Sequence, residues 1–367
     1  WAREGNLGIP VFETDLGRLA MLICMDACFF ETVRVAAVAD ADLIAFPTNW
    51  LGHQAAWRAR ARENGVYMVS ANRWGLERGT QFCGNSAVID PAGRALNLLS
   101  TGEGLVMADI DLEVARAARA EALARRRPAQ YQELLIHSYL WHWRDAHPDL
   151  PAGRPVVVAA GEARDGAHLA DQVRWADKRA RDRGWGGLDL AVFPCFPERP
   201  DTAAIAEVAR TLGCHVVWGT AEPGAEERTW LMGPHGLVGD YGTGGETAAF
   251  DLPWGRLALL TGSDLLVPET TRLAAKRGAD LMAVPANWKS DDWELWVQRC
   301  LENDTPVAVA NLSGGSRIVR TAKPYNATAE LPGQMALALV DTSLEVSRAK
   351  ESLRMAKPQW YEPLVKA

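Results

Sequence analysis

Of the six cysteines in this chain, Cys24 stands where covalent chemistry would be possible: it ends the apolar run Leu19–Ile23 and precedes a helical stretch that begins near Phe30. A strand-to-helix corner exposes one side chain and leaves backbone N–H groups around it, which suits a nucleophile facing a developing oxyanion. The N–H of Met25 is the adjacent donor. The plain reading is that a free cysteine only packs, because free cysteines are among the most buried residues. Cys28, Cys83, Cys214 and Cys300 stay with that reading. At the end of the next apolar run, Asn49 and Trp50 are candidate substrate-binding residues, since sites in layered α/β proteins gather at the carboxyl ends of strands. A turn-capping Asn and a packed Trp is the competing reading.

Other groupings carry less. His137, His142 and His147 recur every five residues around Trp141 and Trp143, a spacing that suits neither one helix face nor a zinc site. Gly242–Gly245 lacks the strand and helix that flank a phosphate cradle. Arg58, Arg60 and Arg62, and Arg125–Arg127, read as solvated or salt-bridged faces. No metal is expected.

The elements that must position Cys24 are legible in the pattern. Gly17–Ile23, Asp42–Pro47 and Val66–Asn72 read as strands, alternating with helices over Phe30–Ala39 and His53–Asn64. The strands are continuous apolar runs, as expected where both sheet faces are covered, which implies a layered α/β domain. Gln81–Asp90 and Leu105–Ile110 read as further strands around the turn Asp90–Gly93, followed by a helix over 113–127.

An internal repeat organises the rest. Gly17-Arg18-Leu19 recurs as Gly255-Arg256-Leu257, Ala41-Asp42-Leu43 as Ala279-Asp280-Leu281, and Pro47-Thr48-Asn49-Trp50 as Pro285-Ala286-Asn287-Trp288, each at an offset of 238. Glu63-Asn64 and Ala71-Asn72 recur as Glu302-Asn303 and Ala310-Asn311 at 239. The predicted arrangement is residues 1–135 as the rear part of one domain, a linker over 136–154, and a second domain over 155–367. The second includes strands and helices over 155–219 that the first lacks, so a matching portion is expected ahead of Trp1.

The chain has 367 residues, 48% hydrophobic and 23% charged, enough for two globular domains. Its net charge of −7 gives no overall attraction to nucleic acid, and no apolar run approaches the roughly 20 residues that cross a bilayer. Sparse cysteines without zinc-type pairs fit a reducing cytoplasm; a leader would lie before Trp1, outside the sequence.

Phe12–Arg18, Ile23-Cys24-Met25-Asp26 with Glu31 seven residues after the cysteine, Pro47–Trp50, Arg62-Glu63-Asn64, Ala71-Asn72-Arg73 and Asn85–Gly93 together resemble the nitrilase superfamily of carbon–nitrogen hydrolases. The resemblance covers 5–135 and, more loosely, 155–367. It implies an α-β-β-α sandwich in two copies, the first truncated, paired sheet to sheet within the chain, with a homo-oligomer as the further option. It also implies a cofactor-free Glu-Lys-Cys triad with Cys24 as nucleophile. The family's glutamate and lysine lie upstream of the cysteine, and no lysine occurs here before Lys178. In the second copy the nucleophile position is Gly262, the glutamate position falls near Cys195, and the stretch Gly239–Thr243 has no lysine. That copy reads as triad-less, with Cys195 as a relocated nucleophile the minor alternative. Met25-Asp26 resembles the amidase and carbamoylase branches, and Ala27 and Cys28 stand where carbamoyl-amino-acid hydrolases carry arginines. The expected substrate is a small neutral or cationic amide. A non-catalytic scaffold and acyl transfer to a partner are the alternatives.

Overall fold

The computed structural model describes residues 5–51, 55–137, 147–163, 166–222, 224–289, 293–321, 326–328, 335–343 and 350–366. They divide into two units, Trp1–His137 with Ala356–Ala367, and Ser138–Met355.

Unit 1 holds one six-stranded sheet in the order β1 (Val11–Thr14), β2 (Gly17–Met21), β3 (Leu43–Thr48), β4 (Tyr67–Asn72), β7 (Ser86–Ile89), β8 (Ala95–Leu99). Its centre, β2–β3–β4, is parallel, and the other pairings are antiparallel. Helices α1 (Phe30–Val38) and α2 (Ala55–Asn64) connect the parallel strands. They pack Val33, Ala36, Ala37, Trp57 and Ala61 against Ala20, Ile44, Phe46 and Met68. Among the described residues the opposite face is covered at the strand beginnings, where Leu43 and Tyr67 meet Ala115 of α3 (Leu112–Ala124). Further along that face Met21 is 56% and Val69 37% exposed.

Two strand expectations change. Gln81–Asp90 is interrupted because Gly84 and Asn85 both take left-handed φ values, +67° and +65°. The first part, β6 (Thr80–Cys83), therefore pairs with β5 (Trp74–Glu77) in a separate hairpin. Leu105–Ile110 joins no ladder; Leu105 is exposed and the Met107 carbonyl accepts from the Asn97 amide at 2.8 Å. The strand after the Asp90–Gly93 turn is β8 instead.

Unit 2 is a four-layer sandwich. One sheet runs β13 (Gly236–Gly242), β12 (Arg228–Gly233), β11 (His215–Thr220), β10 (Leu190–Phe196), β9 (Pro155–Ala160), β20 (Ala336–Asp341). The other runs β14 (Ala248–Leu252), β15 (Gly255–Leu259), β16 (Leu281–Ala286), β17 (Val307–Asn311), β18 (Arg317–Val319), β19 (Asn326–Thr328). Val156, Val158, Leu190, Val192 and Val217 face Leu257, Leu259, Leu281, Ala283 and Ala308 in a dry layer between the sheets. Helices α4 (Gly166–Asp182) and α5 (Thr202–Leu212) back the first sheet, and α7 (Trp293–Leu301) packs on β17 and β18. Helix α6 (Pro268–Lys276) follows β15 as α1 follows β2.

The sequence-based boundary of 155–367 also changes at its end. Residues 356–366 fold into unit 1, where Tyr361 and Leu364 are buried.

Candidate active site

The chain leaves β2 through Leu22, whose N–H still donates to the Ala45 carbonyl, and enters a five-residue 3-10 turn, Cys24–Cys28. Asp26 closes the entry: its carboxylate accepts the Ile23 N–H at 2.7 Å and its own N–H donates to the Ile23 carbonyl at 3.0 Å. Cys24 opens the turn at φ +44°. That left-handed backbone costs a residue with a Cβ roughly 1–2 kcal/mol, and strain of this kind gathers at functional sites. Cys24 is half-buried, and the Met25 N–H has no acceptor among the described residues.

A buried cation holds the turn from below. Arg60 donates from Nε to the Ala27 carbonyl (3.0 Å) and from Nη2 to the Cys28 carbonyl (3.1 Å). Its Nη1 lies 2.6 Å from the Glu63 carboxylate, and neither side chain has exposed surface. Of the two expectations for Arg60, a solvated or a salt-bridged face, the salt bridge is present, but it is buried, with the turn's carbonyls and Glu63 in place of water. Burial pushes the Cys28 thiol up, against the pull of the Arg60 guanidinium.

Asn49 is exposed just past β3, and Trp50 packs edge-on against buried Trp57 at 6.2 Å. The Trp50 backbone is clamped by Asn72, whose Oδ1 accepts the Trp50 N–H at 2.8 Å and whose Nδ2 donates to the Trp50 carbonyl at 3.2 Å. Asn72 therefore fixes the segment carrying both candidates, a role sequence reasoning missed. The recurrence of Asn72 as Asn311 was the available signal, and Asn311 clamps Trp288 in the same two ways at 2.7 and 3.1 Å.

Unit 2 builds a similar corner with other contents. Asp264 accepts the Thr261 N–H at 2.9 Å, and Arg299 donates to the Leu265 carbonyl and pairs with Glu302 at 2.6 Å. Gly262 is buried and outside the left-handed region. A Cβ there would come within 3.2 Å of the Ala286 Cα. Thr243 binds the Thr261 hydroxyl at 2.9 Å, so the lysine-less stretch does reach the corner. The Ser263 N–H, counterpart of Met25, donates to the Glu227 carboxylate at 3.1 Å. Cys195 is 2% exposed, and burial together with the Glu227 charge pushes its thiol up to about 12. A neutral, enclosed thiol is a poor nucleophile.

His137 and His147 are described, while His142, Trp141 and Trp143 lie outside the described residues. Among the described residues no group of three His, Cys, Asp or Glu could hold a metal ion, and no helix is long and apolar enough to cross a membrane.

Residues 1–120 match the family described as carbon-nitrogen hydrolase. A probable nitrilase of Schizosaccharomyces pombe is 36% identical over 135 residues, 34% of this chain and 50% of that protein. A nitrilase of Pyrococcus abyssi is 39% identical over 122 residues, 32% of this chain and 47% of that protein. A deaminated glutathione amidase of Rattus norvegicus is 32% identical over 148 residues, 36% of this chain and 45% of that protein. The chain thus spans about half the length of these relatives. The likeness to the carbon–nitrogen hydrolases therefore lies in residues 1–120, about a third of the chain.

Proposed function

We propose that unit 1 is the nucleophile-bearing part of an amidase-type hydrolase acting on a small non-peptide amide or carbamoyl compound. The Cys24 thiolate attacks the carbonyl carbon, the C–N bond breaks as the nitrogen takes a proton and leaves, and water then cleaves the thioester. The observation that supports this most is the corner itself: a cysteine held at φ +44° beside an unengaged N–H. That donor suits the oxyanion of a tetrahedral intermediate. In unit 2 the N–H at the equivalent position already takes a carboxylate oxygen, that of Glu227, so a corner of this shape accommodates an anionic oxygen.

A thiol with a pKa near 8.5 is only a few per cent thiolate at neutral pH, so it needs a base and a cation. No lysine precedes Lys178. The sheet face leading to Cys24 is bare at Met21 and Val69, while Leu259 and Ala308, their counterparts in unit 2, have no exposed surface beneath the opposing sheet. We read the missing acid and lysine as residues of a second sheet that covers this face. The absent lysine equally favours a second reading, a nitrilase-like scaffold without catalysis.

Ammonia release from a panel of small neutral amides separates the readings. It is measured for residues 1–367 and for the same chain extended through the gene read upstream of Trp1. The expected result is no release from 1–367 and Cys24-dependent release from a chain whose upstream part carries a Pro-Glu and a lysine. Release by 1–367 alone, lost in Cys24→Ala, would refute the need for a second sheet. A silent extended chain would favour the scaffold.

A further inference from the structure

Residues 356–366 come last in the sequence yet belong to unit 1. They form two short 3-10 turns, Pro358–Trp360 and Glu362–Val365. The Tyr361 hydroxyl accepts the Lys357 N–H at 3.0 Å and so sets the shape of the segment from within. Tyr361 is 3% exposed and Leu364 not at all. The second turn packs on α1, the Trp360 ring lies over Gly8, and the Leu364 carbonyl accepts from Arg126 Nη2 at 2.5 Å.

Helix α1 needs this cover. Its Val33, Ala36 and Ala37 face the sheet, but Glu31, Arg34 and Val35 are buried as well. A helix buried all round must have a partner on each side. Residues 128–135 build the same pair of turns, with the Tyr131 hydroxyl accepting the Arg127 N–H at 2.8 Å and Leu134 buried. The motif therefore recurs with its shape held by a local hydrogen bond, and a segment already shaped loses less entropy on docking.

We propose that α1, Gly8 and Arg126 form a peptide-binding site for the C-terminal segment, with Tyr361 and Leu364 as anchors, and that the segment is a detachable clip. The hydrolase reading of Cys24 plays no part in this. The full chain is compared with its Leu364→Asp variant by hydrogen exchange, and both are titrated with a fluorescein-labelled peptide of residues 356–367. In the variant, exchange in α1 should rise about tenfold or more while α5 is unchanged. The labelled peptide should bind the variant with a Kd below about 100 μM and the wild type, whose site is filled, at least about tenfold more weakly. Unchanged α1 exchange, equal binding to both chains, or no binding to either would overturn the proposal. So would a Leu364→Asp chain that loses the unit 1 fold altogether, since the segment would then be core and not clip.

Discussion

Replacing Cys24 by glycine and by alanine separates backbone strain from packing at the corner. Both variants lose the same half-buried thiol, so the packing loss is shared and their difference isolates the backbone. Alanine keeps the penalty of φ +44°, roughly 1–2 kcal/mol, and glycine does not. Glycine in turn gives the unfolded chain about 0.5–1 kcal/mol of extra freedom. The net expectation is that Cys24→Gly is more stable than Cys24→Ala by about 0.5–1 kcal/mol. For a unit of this size that is about 2–3 °C in Tm. Scanning calorimetry is the assay, because the 15 tryptophans lie in both units and a fluorescence melt would merge their transitions. Gly262 supplies a control of opposite sign: its backbone is not left-handed, and an added Cβ would crowd the Ala286 Cα and Trp288 Nε1, both at 3.2 Å. Gly262→Ala should therefore lower the Tm of its own unit. A Cys24→Ala chain as stable as Cys24→Gly would refute the strain and with it the main support for a poised nucleophile.

Glu63→Gln leaves the Arg60 guanidinium buried without its ion-pair partner, and a cost of about 3–5 kcal/mol is expected in urea unfolding; a loss within error would show that the turn's carbonyls suffice. Burial disfavours the charge of Asp42, yet the Arg18 N–H and the guanidinium groups of Arg116 and Arg119 outweigh it and hold its carboxyl below the ordinary range. Its contribution is complete above the unfolded pKa of about 3.9 and is lost as pH falls through the lower folded value, so Asp42→Asn should flatten the acid limb of stability below about pH 4. A limb of unchanged steepness would remove Asp42 from that account. Burial pushes the thiols of Cys195 and Cys214 up to about 12 and raises that of Cys300 too. Iodoacetamide near pH 8 should thus label Cys24 ahead of all three by peptide mapping; earlier labelling at Cys195 would revive it as a nucleophile. In a completed enzyme, Cys24→Ala should abolish ammonia release and Gly262→Ala should not, and equal losses would reverse the assignment of the two corners.

The parallel core was readable because Leu19–Ile23, Leu43–Phe46 and Val66–Met68 are apolar runs that end beside polar corners. The break at Gly84-Asn85 was not, since a two-residue left-handed step leaves the surrounding hydrophobic pattern intact. Arg60 read as part of a solvated or salt-bridged face, and its burial was not legible because spacing cannot show that the Ala27 and Cys28 carbonyls lie above it. The position of Cys24 was visible in its sequence context, but its strained φ and the free Met25 N–H are properties of the folded turn. Glu227 was missed for a related reason: it is 36 residues before Ser263, and nothing local marks the pairing. The likeness of the Tyr131 and Tyr361 turns is a finding of the fold, and it says nothing of which unit the second tail joins.

The dry layer between the two sheets of unit 2 also bears on the order in which the chain comes apart. Unit 2 buries both faces of each central strand within itself, whereas unit 1 leaves part of one face of β2 and β4 in water. Cooperative blocks with less buried apolar contact open at lower free energy. Rising denaturant should therefore release unit 1 first, leaving an intermediate in which the half with Gly262 stays folded while the half with Cys24 has lost its corner.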